Sequence, residues 1–273
     1  MVAAALGLLL MTLVLAAVSS ATAIGGRISQ AGEVFENAQY LTRLLKQELS
    51  LAGFYGHVDG LVNTSNKKPD ICKKISDRDI LSTLSYPIDG INDVADGYRL
   101  CGKDQLLAGS DVLLVRRSSL PVYSLISELN PVENWSPAEW QQTIYYLTAD
   151  NNFKRRRYVK GKYTSAEPLV EAVIDFQLQY AIRSSNNASG GQAFKTEFVE
   201  FPISKKQWQQ LVAIRFYLLI ASAEKSSGDG SRRLLNYLGK QKQVSDNRQY
   251  DLFSGIARLK NVTPIVVEFQ VEN

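Results

Sequence analysis

His57 is the only histidine in the chain, so a Ser-His-Asp or Cys-His arrangement would have to use it. It stands in Gly53-Phe-Tyr-Gly-His-Val-Asp-Gly60, beside Tyr55 and Asp59, and that turn-rich setting predicts an ordinary loop histidine. Asp89, Asp93 and Asp96, with Gly90 and Gly97 among them, hint at a calcium loop. They lack the alternating ligand set and closing Glu of such a loop, so a solvated loop is expected. Cys72 and Cys101 are the two cysteines. In an exported domain they can pair and close a loop, for about 3–4 kcal/mol in the chain-entropy picture. In the cytosol they would be two buried thiols, and without a C-x-x-C or a His cluster they do not make a zinc site. No nucleotide loop or nucleophile elbow occurs. The expectation is no cofactor, no metal and no enzymatic activity.

The densest charge is Lys154-Arg155-Arg156-Arg157, followed by Tyr158, Lys160, Lys162 and Tyr163. Cations interleaved with aromatics suit a nucleic-acid backbone. In a strand, however, alternate residues face opposite ways, so half of the run shares a face. Pairing with acidic neighbours or solvation is the better expectation, which leaves the run as a candidate interaction patch. The chain as a whole carries a net charge of +4 over 273 residues, with 21% charged and 45% hydrophobic residues. That balance is globular and argues neither for nor against nucleic acid.

The element that must position all of this is the N-terminus. Met1 to Gly26 holds no charged side chain. Beyond Arg27, Ala31, Val34, Ala38, Leu41, Leu45, Leu49 and Ala52 recur at three- and four-residue steps, the period of an amphipathic helix with one apolar stripe. Gly53 follows, where a left-handed terminating residue belongs. The apolar part would span roughly 36 Å and the whole element about 78 Å at 1.5 Å per residue, against a bilayer core of about 30 Å. Small residues at Ala16–Ala23 imitate a signal-peptide cleavage site, but the helical pattern continues through them. Gly25 and Gly26 are a candidate bend. Glu33, Glu36, Arg43, Lys46 and Glu48 are expected on a polar helix face.

Past the helix, about 220 residues suffice for one large domain or two small ones. Residues 61–110 read as loop-rich, with a helical turn at Asp79–Leu84. Strands are expected at Asp111–Arg117, at Thr143–Thr148 and Phe153–Val159 as a hairpin around Ala149-Asp-Asn-Asn, at Leu211–Ala221, at Ile256–Lys260 and at Pro264–Val271. Pro121–Pro137, with Trp135, shows no clean period. Val170–Ile182 alternates as a half-buried strand, with Ile174, Phe176, Leu178, Tyr180 and Ile182 on one face. Ser184–Gly191 and Glu224–Asn247 read as mobile connections, and Ser204 as the cap of a short helix. One long helix followed by strands implies an α+β fold with the helix laid on antiparallel sheet.

Several segments carry a resemblance to a family: the opening Met1-Val-Ala-Ala-Ala-Leu-Gly-Leu-Leu-Leu, Leu44–Tyr55 with its Ala-Gly-aromatic ending, Gly109-Ser-Asp-Val-Leu-Leu-Val-Arg-Arg, Tyr145-Tyr-Leu-Thr with Arg155-Arg-Arg, Leu169–Tyr180, Leu211-Val-Ala-Ile-Arg-Phe and Ala257-Arg-Leu-Lys-Asn. In this order they resemble a PilW-type minor pilin of the type IV pilus machinery, with J-type pseudopilins of type II secretion as relatives. The resemblance implies a pilin-like fold in two parts. Residues 1–26 would be the transmembrane and filament-core half of the helix. Residues 27–273 would be a periplasmic domain that includes the amphipathic half 27–52. It implies a non-enzymatic subunit that sits in the inner membrane and primes assembly with other minor pilins and the major pilin. The subunit would end at the pilus tip, where a tip-associated adhesin is a candidate neighbour. A J-type pseudopilin of type II secretion, or a membrane-anchored periplasmic adhesin or DNA-binding module, is the alternative. Family precursors begin with a basic leader, a Gly at the cleavage point, an aromatic and a Glu. The expectation is that processing falls on none of the residues from Met1 onward, and that Asn261–Asn273 extends the usual family ending.

Overall fold

The structure, a computed structural model, describes residues 2–54, 86–118, 140–159, 162–188, 191–223, 233–244 and 246–261. His57, Cys72, Asp79–Leu84, Pro121–Pro137 and Pro264–Val271 lie outside the described residues.

Helix α1 runs unbroken over Val2–Leu51. Val34, Ala38, Leu41, Leu45, Leu49 and Ala52 are all at most 1% exposed, so the predicted stripe is the buried face, and only Ala31 falls off it. Gly53 ends the helix at φ +75°, as its lack of a Cβ permits. Its N–H donates to the Arg116 carbonyl at 3.0 Å. The Asn261 side-chain amide donates to the Ser50 and Ala52 carbonyls at 3.1 and 3.4 Å, satisfying carbonyls that a helix end leaves open.

The first sheet is antiparallel, in the order β1 (Ile88–Ile91), β4 (Val112–Ser118), β5 (Trp140–Leu147), β6 (Phe153–Val159) and β7 (Lys162–Tyr163), with β8 (Glu167–Val170) also on β6. The short pair β2 (Arg99–Leu100) and β3 (Asp104–Gln105) lies beside it. The second sheet orders β10 (Gly191–Val199), β9 (Val173–Ala188), β11 (Leu211–Ala221) and β14 (Tyr250–Arg258). Helix α2 (Lys205–Gln209) starts on Ser204, whose hydroxyl accepts the Gln207 N–H in a capping box, as expected.

The stripe of α1 packs on β11 and β14, and one core joins it to both sheets. Leu113, Val115, Tyr145 and Phe153 enter from the first sheet, and Phe176, Ile214, Phe216 and Leu218 from the second. The Phe153 and Phe176 rings meet edge to face at 5.0 Å.

Four expectations are corrected. Strand β9 is not half-buried: Asp175 and Gln177, on its supposed solvent face, are 5% and 4% exposed. They are covered by a hairpin of β12 (Arg233–Tyr237) and β13 (Lys240–Val244), inside the stretch read as a mobile connection. The Tyr237 hydroxyl donates to Asp175, Lys240 Nζ to Gln177 Oε1 at 2.6 Å, and Lys242 Nζ to the Ile174 carbonyl at 2.9 Å. The Ser/Asn stretch after Arg183 also continues as strand, with Ser184 opposite Lys195 and Asn187 opposite Gln192. There, ladder pairing overrides weak intrinsic propensity. The last described strand begins at Tyr250, before the expected Ile256.

Candidate interaction surfaces

The helix presents two environments. Leu10, Val14, Val18 and Ile24 are 55–62% exposed. The most apolar window of Leu10–Leu51 has none of its residues buried against the rest of the chain. It is long and apolar enough to cross a membrane. The helix passes through Gly25 and Gly26 without interruption, and no atom lies within 4 Å of where their Cβ atoms would stand.

The basic hairpin divides by strand alternation. On one side, Arg155 makes two 2.8 Å hydrogen bonds to the Glu167 carboxylate and Arg157 Nη2 lies 3.1 Å from it. On the other, Arg156 Nη2 reaches Asp104 Oδ2 at 3.2 Å and Lys154 Nζ lies 3.9 Å from Oδ1. Tyr146 also donates to Asp104 at 2.8 Å, and its hydroxyl pKa is raised, by burial first and then by that bond. The hydrogen bonds from Arg155, more than any other contact, hold the Glu167 carboxyl down at about 2. All four cations are thus engaged within the chain. The predicted patch is partly neutralised, with four positive charges set against two carboxylates.

The acidic trio does not converge. Asp89 is fully buried, 3.6 Å from the equally buried Arg116 guanidinium. Asp93 pairs with Lys240, and Asp96 is exposed. Among the described residues no group of three His, Cys, Asp or Glu could hold a metal. Cys101 is disulfide-bonded, at the β2–β3 turn.

Sequence reasoning missed the buried polar joints. Arg116 donates to Gln142 Oε1 at 3.0 Å and to the Tyr86 carbonyl at 2.6 Å. Burial raises the Tyr86 hydroxyl pKa, with the Asp89 charge adding to it. Glu48, expected on the polar helix face, is 9% exposed and meets Arg117 at 3.2 Å. A signal for Arg116 was present: it shares strand parity with the buried Val112 and Leu114, so a core-facing arginine in need of partners was readable.

A long helix, free and apolar at one end and buried along a stripe at the other, set on antiparallel sheets, defines an α+β protein. The family model described as type IV pilus-assembly protein W matches residues 144–261, and over that stretch the resemblance drawn from the sequence is borne out. Among solved structures, a type IV-like pilin from Thermus thermophilus is similar at a TM-score of 0.41 and 11% identity, covering 84% of this chain and 97% of that chain. No curated protein sequence matches the chain.

Proposed function

We propose that the chain is a structural minor pilin of the type IV pilus. In this reading it is held in the inner membrane by the apolar half of α1, residues 1–26, with residues 27–273 in the periplasm. It joins other minor pilins and the major pilin in a priming complex and ends at the pilus tip. The observation that carries the reading is the division of one continuous helix. Leu10 to Ile24 is exposed and apolar, whereas Val34 to Ala52 is the domain's own core. A helix built so can serve lipid first and the packed helices of a filament afterwards. The family match at residues 144–261 supports pilus assembly over other membrane-anchored roles. Gly25 and Gly26 lie between the two halves, where a local bend would let the anchor reorient on leaving the bilayer. A Cys72–Cys101 bridge fits an oxidising periplasm.

The test is genetic. Deleting the gene in its host should abolish or sharply reduce surface pili, and the intact gene should restore them. A copy with Val14→Asp, which places a charge in the exposed apolar half, should fail to restore them. Normal piliation in the deletion strain would overturn the reading.

A further inference from the structure

The β12–β13 hairpin covers only part of the outer face of the second sheet. Across the remainder, strand register aligns Gln179, Arg215 and Ile256 in one row and Ala181, Ala213 and Arg258 in the next, with Phe198 opposite Ala181. The alanines make a shallow floor. Above it, Phe198, Ile256 and Leu252 are 36%, 49% and 45% exposed. The Arg215 guanidinium carbon sits 3.9 Å from the centroid of the Phe198 ring. Its Nη1 donates to the Tyr217 hydroxyl at 3.5 Å, which donates in turn to Gln179 Oε1 at 3.1 Å.

Arg215 and Arg258 outnumber the acid that strand alternation places on this side of β10, the exposed Glu200 between the core-packed Val199 and Phe201. Among the described residues, neither Arg215 nor Arg258 pairs with a carboxylate. The acid on this side of β9, Asp175, lies under the hairpin and is taken by Tyr237 and Gln177. The basic hairpin differs, since its cations meet Asp104 and Glu167. An arginine stacked on an aromatic ring keeps its planar fork ordered and its donors directed outward. Arginine and aromatic anchors beside exposed aliphatics are the composition of a protein-binding surface. Two arginines separated by Ile256 do not make the continuous cationic track that a nucleic-acid backbone needs.

We propose that this face docks a protein partner that presents carboxylates beside an apolar contact. Arg215 and Arg258 are the charge anchors, and Phe198, Ile256 and Leu252 the apolar contact. The partner is a neighbouring subunit of the assembly, so the inference rests on the minor-pilin reading.

The test uses the full chain in the host's membrane, with the photo-crosslinking residue p-benzoylphenylalanine in place of Ile256, or of Asp96, in the exposed turn between β1 and β2, as a control. Light should join the Ile256 probe to a pilus subunit, at a peptide containing Asp or Glu, and the Asp96 probe should not give that adduct. Arg215→Glu with Arg258→Glu should lower the yield by roughly fivefold or more, and exchanging the partner's carboxylate for Lys should restore it. If the double variant falls in membrane level by immunoblot, Arg258→Glu alone, at a solvent-facing position, gives the same comparison. No protein adduct at Ile256, an adduct with DNA, or a yield indifferent to charge reversal would each overturn the proposal. Loss of pili on gene deletion without an Ile256 adduct defeats the docking face alone, whereas normal pili on deletion defeat the minor-pilin reading itself.

Discussion

The Asp111 carboxylate accepts the Leu178 backbone N–H at 2.7 Å, while the Asp111 N–H donates to the Phe176 carbonyl at 2.9 Å. Strand β10 pairs with β9 only over Tyr180–Ala188, which leaves the Val173–Gln179 edge open. Asp111, just before β4, closes part of that edge and ties the two sheets together. Its second carboxylate oxygen accepts the Asp93 N–H at 3.0 Å.

Burial pushes the Asp111 carboxyl up to about 7, against the two backbone hydrogen bonds and Lys240, which lower it. The folded state therefore binds this proton more tightly than the unfolded chain does. The stability it contributes is full below about pH 4, declines as pH rises to about 7, and is constant above that. Thermal unfolding of the detergent-solubilised chain should show this decline, on the order of a few kcal/mol at most, and Asp111→Asn should flatten it. An identical slope in the variant would sink the assignment. Glu167 acts with the opposite sign. Its depressed carboxyl contributes stability above its ordinary range that is lost as pH falls toward about 2, so measurements above pH 5 separate the Asp111 contribution from that of Glu167.

Gly90 should not tolerate a side chain. A Cβ there would stand 2.3 Å from the Val112 carbonyl oxygen and 3.0 Å from the Tyr180 hydroxyl, and the first is backbone held in the β1–β4 ladder. Gly90→Ala should cost about 1–3 kcal/mol or more. Gly32→Ala, on open helix surface with nothing within 4 Å, should instead stabilise by about 0.5–1 kcal/mol. Denaturant midpoints of the two variants, moving in opposite directions, check the pair.

Leu45, 0% exposed in the centre of the stripe, fixes α1 to the sheets. Leu45→Ala should cost about 2–5 kcal/mol, whereas Lys46→Ala, exposed one position later, should stay within about 0.5 kcal/mol. Equal effects would mean that the helix is not part of the domain's cooperative core.

The proposed Cys72–Cys101 bridge predicts that Cys72→Ser leaves the Cys101 thiol free to react with a maleimide under denaturing conditions. It should also lower stability by about 3–4 kcal/mol. A Cys101 thiol that stays blocked in monomeric Cys72→Ser chains would exclude the pairing.

Much of the frame was legible in the chain. The stripe from Val34 to Ala52, the Gly53 stop, the Phe153–Val159 hairpin and the Ser204 cap all depend on local periodicity or local hydrogen bonding, so a short window contains their cause. The alternation of Lys154, Arg155, Arg156 and Arg157 was readable for the same reason. Their partners were not: Asp104 and Glu167 reach them only through strand pairing and the β2–β3 turn.

By itself, then, the sequence determined that an apolar helix leads an amphipathic one into an antiparallel α+β domain, because residue period dictates which face seeks apolar cover. Only the tertiary structure decided that Asp175 and Gln177 are buried beneath the β12–β13 hairpin, that Arg116 and Asp89 pair inside the first sheet, and that Arg215 and Arg258 meet no carboxylate among the described residues on the second. Each depends on contacts between segments far apart in the chain, and burial of a polar side chain is set by what packs over it, not by its neighbours in sequence.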